Sequence, residues 1–201
     1  MPVRPPALRA PRAPHYRDPV SPELRVPTVW YFAYGSNMQS ATLRGRRGVD
    51  YRRAVPATAR GWRLVFDKPP LVPEAGAAAN IVPDDAAETP GVAFEIDDED
   101  LTHIELTEGV LIGNYERVEV RVAPMAAVAG VPPRVFSLSS GRRDPQARPS
   151  TRYMALVIAG AVEHGLPADH IAFLRNVPTA VEGPEARALW ALIDDALWRR
   201  R

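Results

Sequence analysis

Residues 31–38, YFAYGSNM, join a hydrophobic strand to small polar residues that could bind a ligand. The segment begins as a buried strand and changes abruptly at Gly35, Ser36 and Asn37, which disfavour regular structure and offer polar atoms. The following residues, MQSATLRG, predict a short helix, so the turn would present free backbone N–H groups at a helix start. Such a turn can bind a carboxylate or a developing oxyanion, and a glycine lets the ligand approach the backbone closely.

Glu108 is the second residue whose type and position indicate chemistry. It lies in IELTEGVLIGNYERVEV, residues 104–120, where a predicted helix ends before Gly109. A carboxylate at the C-terminal end of a helix faces the negative end of the helix dipole, which disfavours its charged form and suits a group that exchanges protons. Glu105, one turn earlier, is interpreted as a solvated surface charge. Tyr115 follows a Gly-Asn turn and begins a strand.

Other reactive groups have little support in the sequence. There is no cysteine, which excludes a disulfide, a thiol nucleophile and a thiolate metal site. The four histidines lack the i, i+4 spacing that metal-binding helices use, and we therefore predict no metal and no cofactor. Ser36 lacks the second glycine of the G-x-S-x-G nucleophile motif and is interpreted as a turn or capping residue.

Short strands and amphipathic helices must position these residues. The alternation of apolar and charged residues is strict in ERVEVRV, residues 116–122, which predicts a sheet strand with one face in water. Asp97 or Asp98 and Ser150 are predicted to cap helices, and a last helix is predicted to start at Pro184. Strands are predicted at residues 29–34, 62–66, 79–82, 91–96, 117–122 and 134–138, with exposed connections over residues 67–78 and 123–133.

Composition indicates one α+β domain over residues 29–201, preceded by a flexible tail over residues 1–28. The first 29 residues contain eight prolines and five arginines and therefore resist helix and sheet. The 25 basic residues nearly balance the 24 acidic ones, so we expect no nucleic acid and no anionic membrane as partner. The longest apolar run, Met154–Val162, has nine residues and is too short to span a bilayer. A soluble, cytoplasmic protein is expected.

Three motifs, in this order, resemble the γ-glutamylcyclotransferase family. They are YFAYGSN at residues 31–37, EGV followed by G-x-Y within residues 108–115, and PSTRYMALVIAGAVEHGLP at residues 149–167. The resemblance covers about residues 29–178 and implies a single domain, a small mixed β-barrel flanked by helices with a cavity at one mouth. It implies Glu108 as the catalytic residue and, as substrate-binding residues, Tyr31, Phe32, Ala33, Tyr34, Gly35, Ser36, Asn37, Tyr115 and Tyr153.

The resemblance also implies a reaction. The α-amine of a γ-glutamyl substrate attacks its own γ-carbonyl, which yields 5-oxoproline and a free amine or amino acid, and Glu108 makes both proton transfers. Relatives specific for glutathione tend to read YGSL, and those that act on γ-glutamyl amines tend to read YGTL, so Asn37 favours the γ-glutamyl amino acid branch. A γ-glutamyl-amine cyclotransferase, an enzyme that removes a γ-glutamyl protecting group in a biosynthetic pathway, and a non-catalytic γ-glutamyl-binding protein stay open. The expected partner is this small molecule, in a monomer or homodimer.

Overall fold

The computed structural model describes residues 26–72 and 75–198, and for residues 193–198 it describes the backbone only. Most of the predicted tail, residues 1–25, and the basic C-terminal end, residues 199–201, lie outside these ranges. Among the residues described, no helix combines the length and the apolar character needed to cross a membrane.

A closed five-stranded β-barrel forms the centre of the domain. The strands follow one another around the barrel in the order β1-β3-β2-β4-β5, and β5 closes it by pairing with β1 in parallel. The other neighbouring pairs are antiparallel. The predicted fold class, a small mixed β-barrel flanked by helices, is therefore confirmed. The strands are β1 Thr28–Ala33, β2 Arg53–Lys68, β3 Ala78–Asp97, β4 Glu116–Pro124 and β5 Arg134–Ser139.

Two of these strands are much longer than the sequence predicts. The predicted strands at residues 79–82 and 91–96 are both parts of β3, and the predicted strand at residues 62–66 lies in the second half of β2. β2 and β3 pair along most of their length, with a shift of register between Arg60 and Trp62. Residues 84–87 of β3, DDAA, form this irregularity. Their two aspartates predict a break in a strand, which is why the sequence predicts β3 as two strands.

Besides the barrel strands, the described residues form four α-helices, and three of them start where the sequence predicts. Ser150 caps α2 by accepting a hydrogen bond at Oγ from the backbone N–H of Tyr153, at 3.1 Å. α4 begins at Pro184, a residue suited to the first turn of a helix. The third helix was not predicted, because the Gly165 and Pro167 signals were interpreted only as a helix stop. The helices are α1 Asp98–Glu108, α2 Thr151–Glu163, α3 Ala168–Arg175 and α4 Pro184–Trp198.

The short helix predicted after Asn37 is present over residues 40–46 in irregular form, and a 3-10 turn precedes it. Ser36–Met38 form a 3-10 turn and Thr42–Arg46 a π-helical turn, with Gln39 extended between them. Ser40 donates hydrogen bonds from its backbone N–H and its Oγ to the carboxylate of Glu163, at the end of α2. These bonds and the burial of Met38 hold the loop after β1 against α2.

The connection between β2 and β3 is not the exposed loop that the sequence predicts. Lys68 and Ala77 are only 3% and 1% exposed. Asp67 is also buried, and its carboxylate accepts a hydrogen bond from Nη2 of Arg143 at 2.6 Å. The prediction was wrong for these residues because part of the stretch, including Pro70 and Gly76, lines a cavity, whereas Leu71 is 51% exposed. In the other predicted connection, residues 125–130 are exposed as expected.

Candidate active site

An open cavity of about 280 Å³ lies beside the end of β1. Its volume is close to the lower end of the roughly 300–1,000 Å³ that small-molecule sites have. The wall is built by the loop after β1, the β2–β3 connection, the end of α1, the segment before β4, α2 and α4. Eight of the ten predicted site residues line it: Tyr31, Tyr34, Gly35, Ser36, Asn37, Glu108, Tyr115 and Tyr153.

Phe32 and Ala33, the other two predicted substrate-binding residues, do not line the cavity. Phe32 is fully buried and Ala33 is 1% exposed, and both belong to the apolar core. Successive side chains of a strand point to opposite sides, so Phe32 is turned away from Tyr31. Within the part of the chain that the structure describes, the role of these two residues is packing.

Glu108 is the last residue of α1, and its carboxylate is held by two side chains. Oε1 accepts a hydrogen bond from Nδ2 of Asn37 at 2.9 Å and lies 2.6 Å from Nη2 of Arg47. The side chains of Arg47 and Glu108 are 21% and 15% exposed, so water screens this ion pair only weakly. The guanidinium of Arg47 is therefore the counter-charge of this carboxylate. Oε2 is not engaged by either contact.

Asn37 connects Glu108 to its neighbours through a single buried amide. Nδ2 also donates to Oη of Tyr31 at 3.1 Å, and Oδ1 accepts from Nε of Arg47 at 3.2 Å. Arg47 in turn donates from Nη1 to the carbonyl oxygen of Thr107 at 3.1 Å. The amide and the guanidinium therefore fix the position of the carboxylate.

Four tyrosines surround this group and are held by their hydroxyls. Tyr34 donates to the carbonyl oxygen of Leu138 at 2.6 Å, and Tyr115 donates to that of Ala79 at 2.9 Å. Tyr153 accepts at Oη from the backbone N–H of Ala79 at 3.0 Å. Burial raises the pKa of each tyrosine above its ordinary value, so the phenols stay protonated and suit positioning rather than proton abstraction.

Gly35 lies where the loop after β1 passes beside Tyr153 of α2. A Cβ atom at this position would be 3.0 Å from Oη of Tyr153 and 3.2 Å from Cβ of Ala79. Its backbone φ of −117° is open to every residue, so the need for glycine comes from space rather than from conformation. A side chain here would fill the part of the cavity between the loop and Tyr153.

Lys68 lines the cavity from the end of β2 and was not recognised from the sequence. Its ammonium group lies 4.9 Å from the ring centroid of Tyr115, in the geometry of a cation–π contact. The pKa of Lys68 is lowered to about 8, mainly by burial and in part by the positive charge of Arg142, while the negative charge of Glu108 acts in the opposite direction. One signal was present in the sequence, because Lys68 is the only lysine of a chain that uses arginine everywhere else.

Trp190 of α4 lines the cavity together with two arginines. Its ring lies 5.1 Å from the guanidinium carbon of Arg46 and 5.2 Å from that of Arg152. The last helix lies outside the stretch that resembles the family, so no motif pointed to this tryptophan. Arg47 was missed for a similar reason, since nothing in LRGRRG indicates which arginine reaches Glu108.

Among the described residues, no group of three or more His, Asp or Glu side chains is placed to hold a metal ion. The cavity supports proton transfer at the fixed carboxylate of Glu108. This carboxylate lies beside the loop after β1, and the buried ammonium of Lys68 lines the same cavity. This arrangement suits a small substrate with a polar reacting centre and a negative charge.

The barrel and its cavity define a γ-glutamylcyclotransferase-like fold. A solved structure titled "Gamma-glutamyl cyclotransferase" matches 86% of this chain and 99% of its own, with a TM-score of 0.65 and 24% identity. In sequence, the chain is 32% identical over 174 residues to γ-glutamyl cyclotransferase aclK of Aspergillus oryzae, and 28% identical over 152 residues to γ-glutamylcyclotransferase of Bos taurus. Residues 89–174 match the model of the AIG2-like family.

These findings confirm the resemblance: in sequence and in fold, the chain is similar to proteins named γ-glutamylcyclotransferase. The match to the Aspergillus protein covers 78% of this chain and 63% of that protein's length. The match to the bovine protein covers 73% of this chain and 77% of the bovine one.

Proposed function

We propose that the chain is a γ-glutamylcyclotransferase that releases 5-oxoproline from a γ-glutamyl amino acid. The observation that carries the proposal is the carboxylate of Glu108, fixed by Asn37 and Arg47 in the wall of a cavity that the Gly35 loop also lines. The similarity to proteins of this name supports the same activity.

Glu108 acts first as the base. The α-amine of the substrate arrives as an ammonium ion and must lose a proton before its nitrogen can attack. Arg47 and Asn37 hold the carboxylate at Oε1, so Oε2 is the oxygen that can accept this proton. A proton acceptor in the correct position accelerates a reaction by about 10²–10⁴-fold.

Ring closure follows within the substrate itself. The nitrogen attacks the γ-carbonyl carbon, and the carbonyl oxygen takes the negative charge of the tetrahedral intermediate. Well-oriented intramolecular reactions reach effective molarities of about 10⁵–10⁸ M, so holding the glutamyl chain curled supplies much of the acceleration. Tyr115 and Tyr153 shape the cavity for the curled chain, and the loop of Gly35 and Ser36 lines it where backbone N–H donors can approach the oxyanion.

Glu108 then acts as the acid. The protonated carboxyl returns the proton to the leaving nitrogen, the bond between that nitrogen and the γ-carbon breaks, and the carbonyl re-forms in 5-oxoproline. The regenerated carboxylate then accepts the second proton of the ring nitrogen and passes it to the released amine, which leaves as an ammonium ion. One carboxyl therefore completes the cycle without a covalent enzyme intermediate.

We assign the leaving group to the amino acids because Asn37 and the E-G-V context match that branch of the family. The test is incubation with γ-glutamyl-alanine, followed by quantification of 5-oxoproline and alanine. N-acetyl-γ-glutamyl-alanine, whose amine is blocked, and α-glutamyl-alanine should yield no product. A protein that binds γ-glutamyl-alanine without releasing alanine would instead be the non-catalytic binder, and release from γ-glutamyl amines alone would place it in the amine branch.

A further inference from the structure

Lys68 is a buried cation in the cavity whose charge the structure does not balance. It is 3% exposed, and its only contact with a charged or aromatic group among the described residues is the ring face of Tyr115. No described carboxylate lies within 4.0 Å of its ammonium group, and its neighbour Asp67 pairs with Arg143 instead.

A buried charge without a partner is costly, and proteins normally pair it or neutralise it. A second positive charge, that of Arg142, acts on Lys68, and the negative charge of Glu108 is already held by Arg47. The described residues therefore do not supply an anion that pairs with the ammonium. Since Lys68 lines the cavity, a ligand can supply it.

We propose that Lys68 binds the α-carboxylate of the γ-glutamyl group. This inference rests on the proposed function, because it identifies the part of that substrate which Lys68 holds. Tyr115, the aromatic partner of Lys68, donates a hydrogen bond from its hydroxyl to the carbonyl oxygen of Ala79. The backbone N–H of Ala79 in turn donates to the hydroxyl of Tyr153. The lysine therefore belongs to the same wall as the two tyrosines assigned to the glutamyl end.

The chemistry of the substrate explains why a cation is needed there. The α-amine and the α-carboxylate are attached to the same carbon, so an amine next to Glu108 brings a second negative charge close to this carboxylate. Two unscreened anions in one cavity repel each other, and the ammonium of Lys68 offsets that repulsion. A lysine suits a narrow site because its charge is compact, whereas a guanidinium is broad and planar.

The experiment compares Lys68→Met, Lys68→Arg and a control, Arg60→Met. Arg60 lies on the same strand as Lys68, but it is exposed and paired with Glu88 at the surface. Steady-state kinetics are measured with γ-glutamyl-alanine, with γ-glutamyl-methylamide, whose leaving group has no carboxylate, and with the α-carboxamide of γ-glutamyl-alanine.

We expect Lys68→Met to raise KM about 10- to 100-fold for both substrates that keep the α-carboxylate, the loss typical of a charged hydrogen bond. The α-carboxamide should be a poor substrate of the wild-type protein and should not distinguish it from Lys68→Met. Lys68→Arg should recover part of the loss, and Arg60→Met should behave as wild type. An effect confined to γ-glutamyl-alanine would assign Lys68 to the leaving carboxylate and overturn the proposal, as would unchanged KM values in Lys68→Met.

Two further measurements separate this site from a structural role and from the proposed activity. Lys68→Met should melt at the same temperature as wild type or higher, because it removes an unpaired buried charge. Binding of 5-oxoproline, which keeps the α-carboxylate, is measured by calorimetry and should weaken in Lys68→Met. Binding of 5-oxoproline that depends on Lys68, without turnover of any γ-glutamyl substrate, would support the site and refute the activity. A lower melting temperature with unchanged binding would refute the site alone.

Discussion

Replacing Glu108 with glutamine removes the proton acceptor and little else. The amide has nearly the shape of the carboxylate, and its oxygen can still accept from Nδ2 of Asn37, which lies 2.9 Å from Oε1. Arg47 keeps a hydrogen-bond acceptor but loses its counter-charge, 2.6 Å away. The variant should fold and bind substrate, because the cavity wall keeps its shape.

The expected loss in kcat is about 10²–10⁴-fold, the usual contribution of a general acid or base. At about 1.36 kcal/mol per tenfold change, this raises the activation barrier by about 2.7–5.4 kcal/mol. The free energy of unfolding should fall by about 1–2 kcal/mol, because a charge-assisted hydrogen bond in a mostly buried pair becomes a neutral one. The catalytic effect therefore exceeds the effect on stability.

The assay measures kcat and KM for γ-glutamyl-alanine by release of 5-oxoproline, and stability by urea unfolding of the same preparations. Glu105→Gln is the matched control, since Glu105 lies on the same helix, pairs with Arg117 and does not line the cavity. A Glu108→Gln protein with kcat within tenfold of wild type would refute the mechanism. An equally inactive Glu105→Gln protein would show that the loss comes from disturbing α1 rather than from proton transfer.

Three other perturbations test separate parts of the site. Gly35→Val should raise KM and lower kcat together, because its side chain would press on Oη of Tyr153, 3.0 Å from the position of Cβ; normal kinetics would exclude the loop from the binding site. Trp190→Ala should change the ratio of kcat/KM for γ-glutamyl-alanine and γ-glutamyl-phenylalanine by about tenfold, since it reshapes an apolar wall; an unchanged ratio would place the leaving group elsewhere. For Lys68, with a pKa of about 8, kcat/KM of wild type should fall as pH rises through 8 relative to that of Lys68→Arg, because the neutral amine no longer attracts a carboxylate. The amine of Lys68 also feels the charges of Arg142 and Glu108 and contacts the ring of Tyr115. Identical pH profiles of wild type and Lys68→Arg would refute the role of Lys68 in binding the carboxylate.

Local signals predicted those parts of the fold that depend on neighbouring residues. The cap of α2 needs only Ser150 and the N–H group of Tyr153, and the start of α4 needs only Pro184. The strict alternation in ERVEVRV is likewise contained in one strand, β4. The motifs then located Glu108 and most of the loop after β1, because the resemblance carries information about distant contacts that periodicity does not contain.

The remainder depends on contacts between residues far apart in the chain. Asn37 and Glu108 are separated by 71 residues, and they meet because closure of the barrel brings the end of β1 to the end of α1. Arg47 reaches the same carboxylate from an irregular π-helical turn that no periodic pattern predicts. The sequence predicts two strands within β3 and only the second half of β2, because the irregularity opposite Arg60 and Trp62 contains residues that usually end a strand.

The partly buried charges in and near the cavity differ in whether the protein supplies a counter-charge. Asp67 is held by Arg143 and Glu105 by Arg117, so each carboxylate has a counter-charge within the protein. Lys68 does not, and burial moves its pKa from 10.5 to about 8, below that of the unfolded chain. Between pH 8 and pH 10.5, the amine therefore keeps its proton in the unfolded chain and releases it in the folded protein. The contribution of Lys68 to the free energy of unfolding is thus lowest below pH 8 and rises toward pH 10.5. A residue that destabilises the fold at neutral pH is expected to have a role in the bound state, and the carboxylate of the proposed γ-glutamyl substrate would supply its counter-charge.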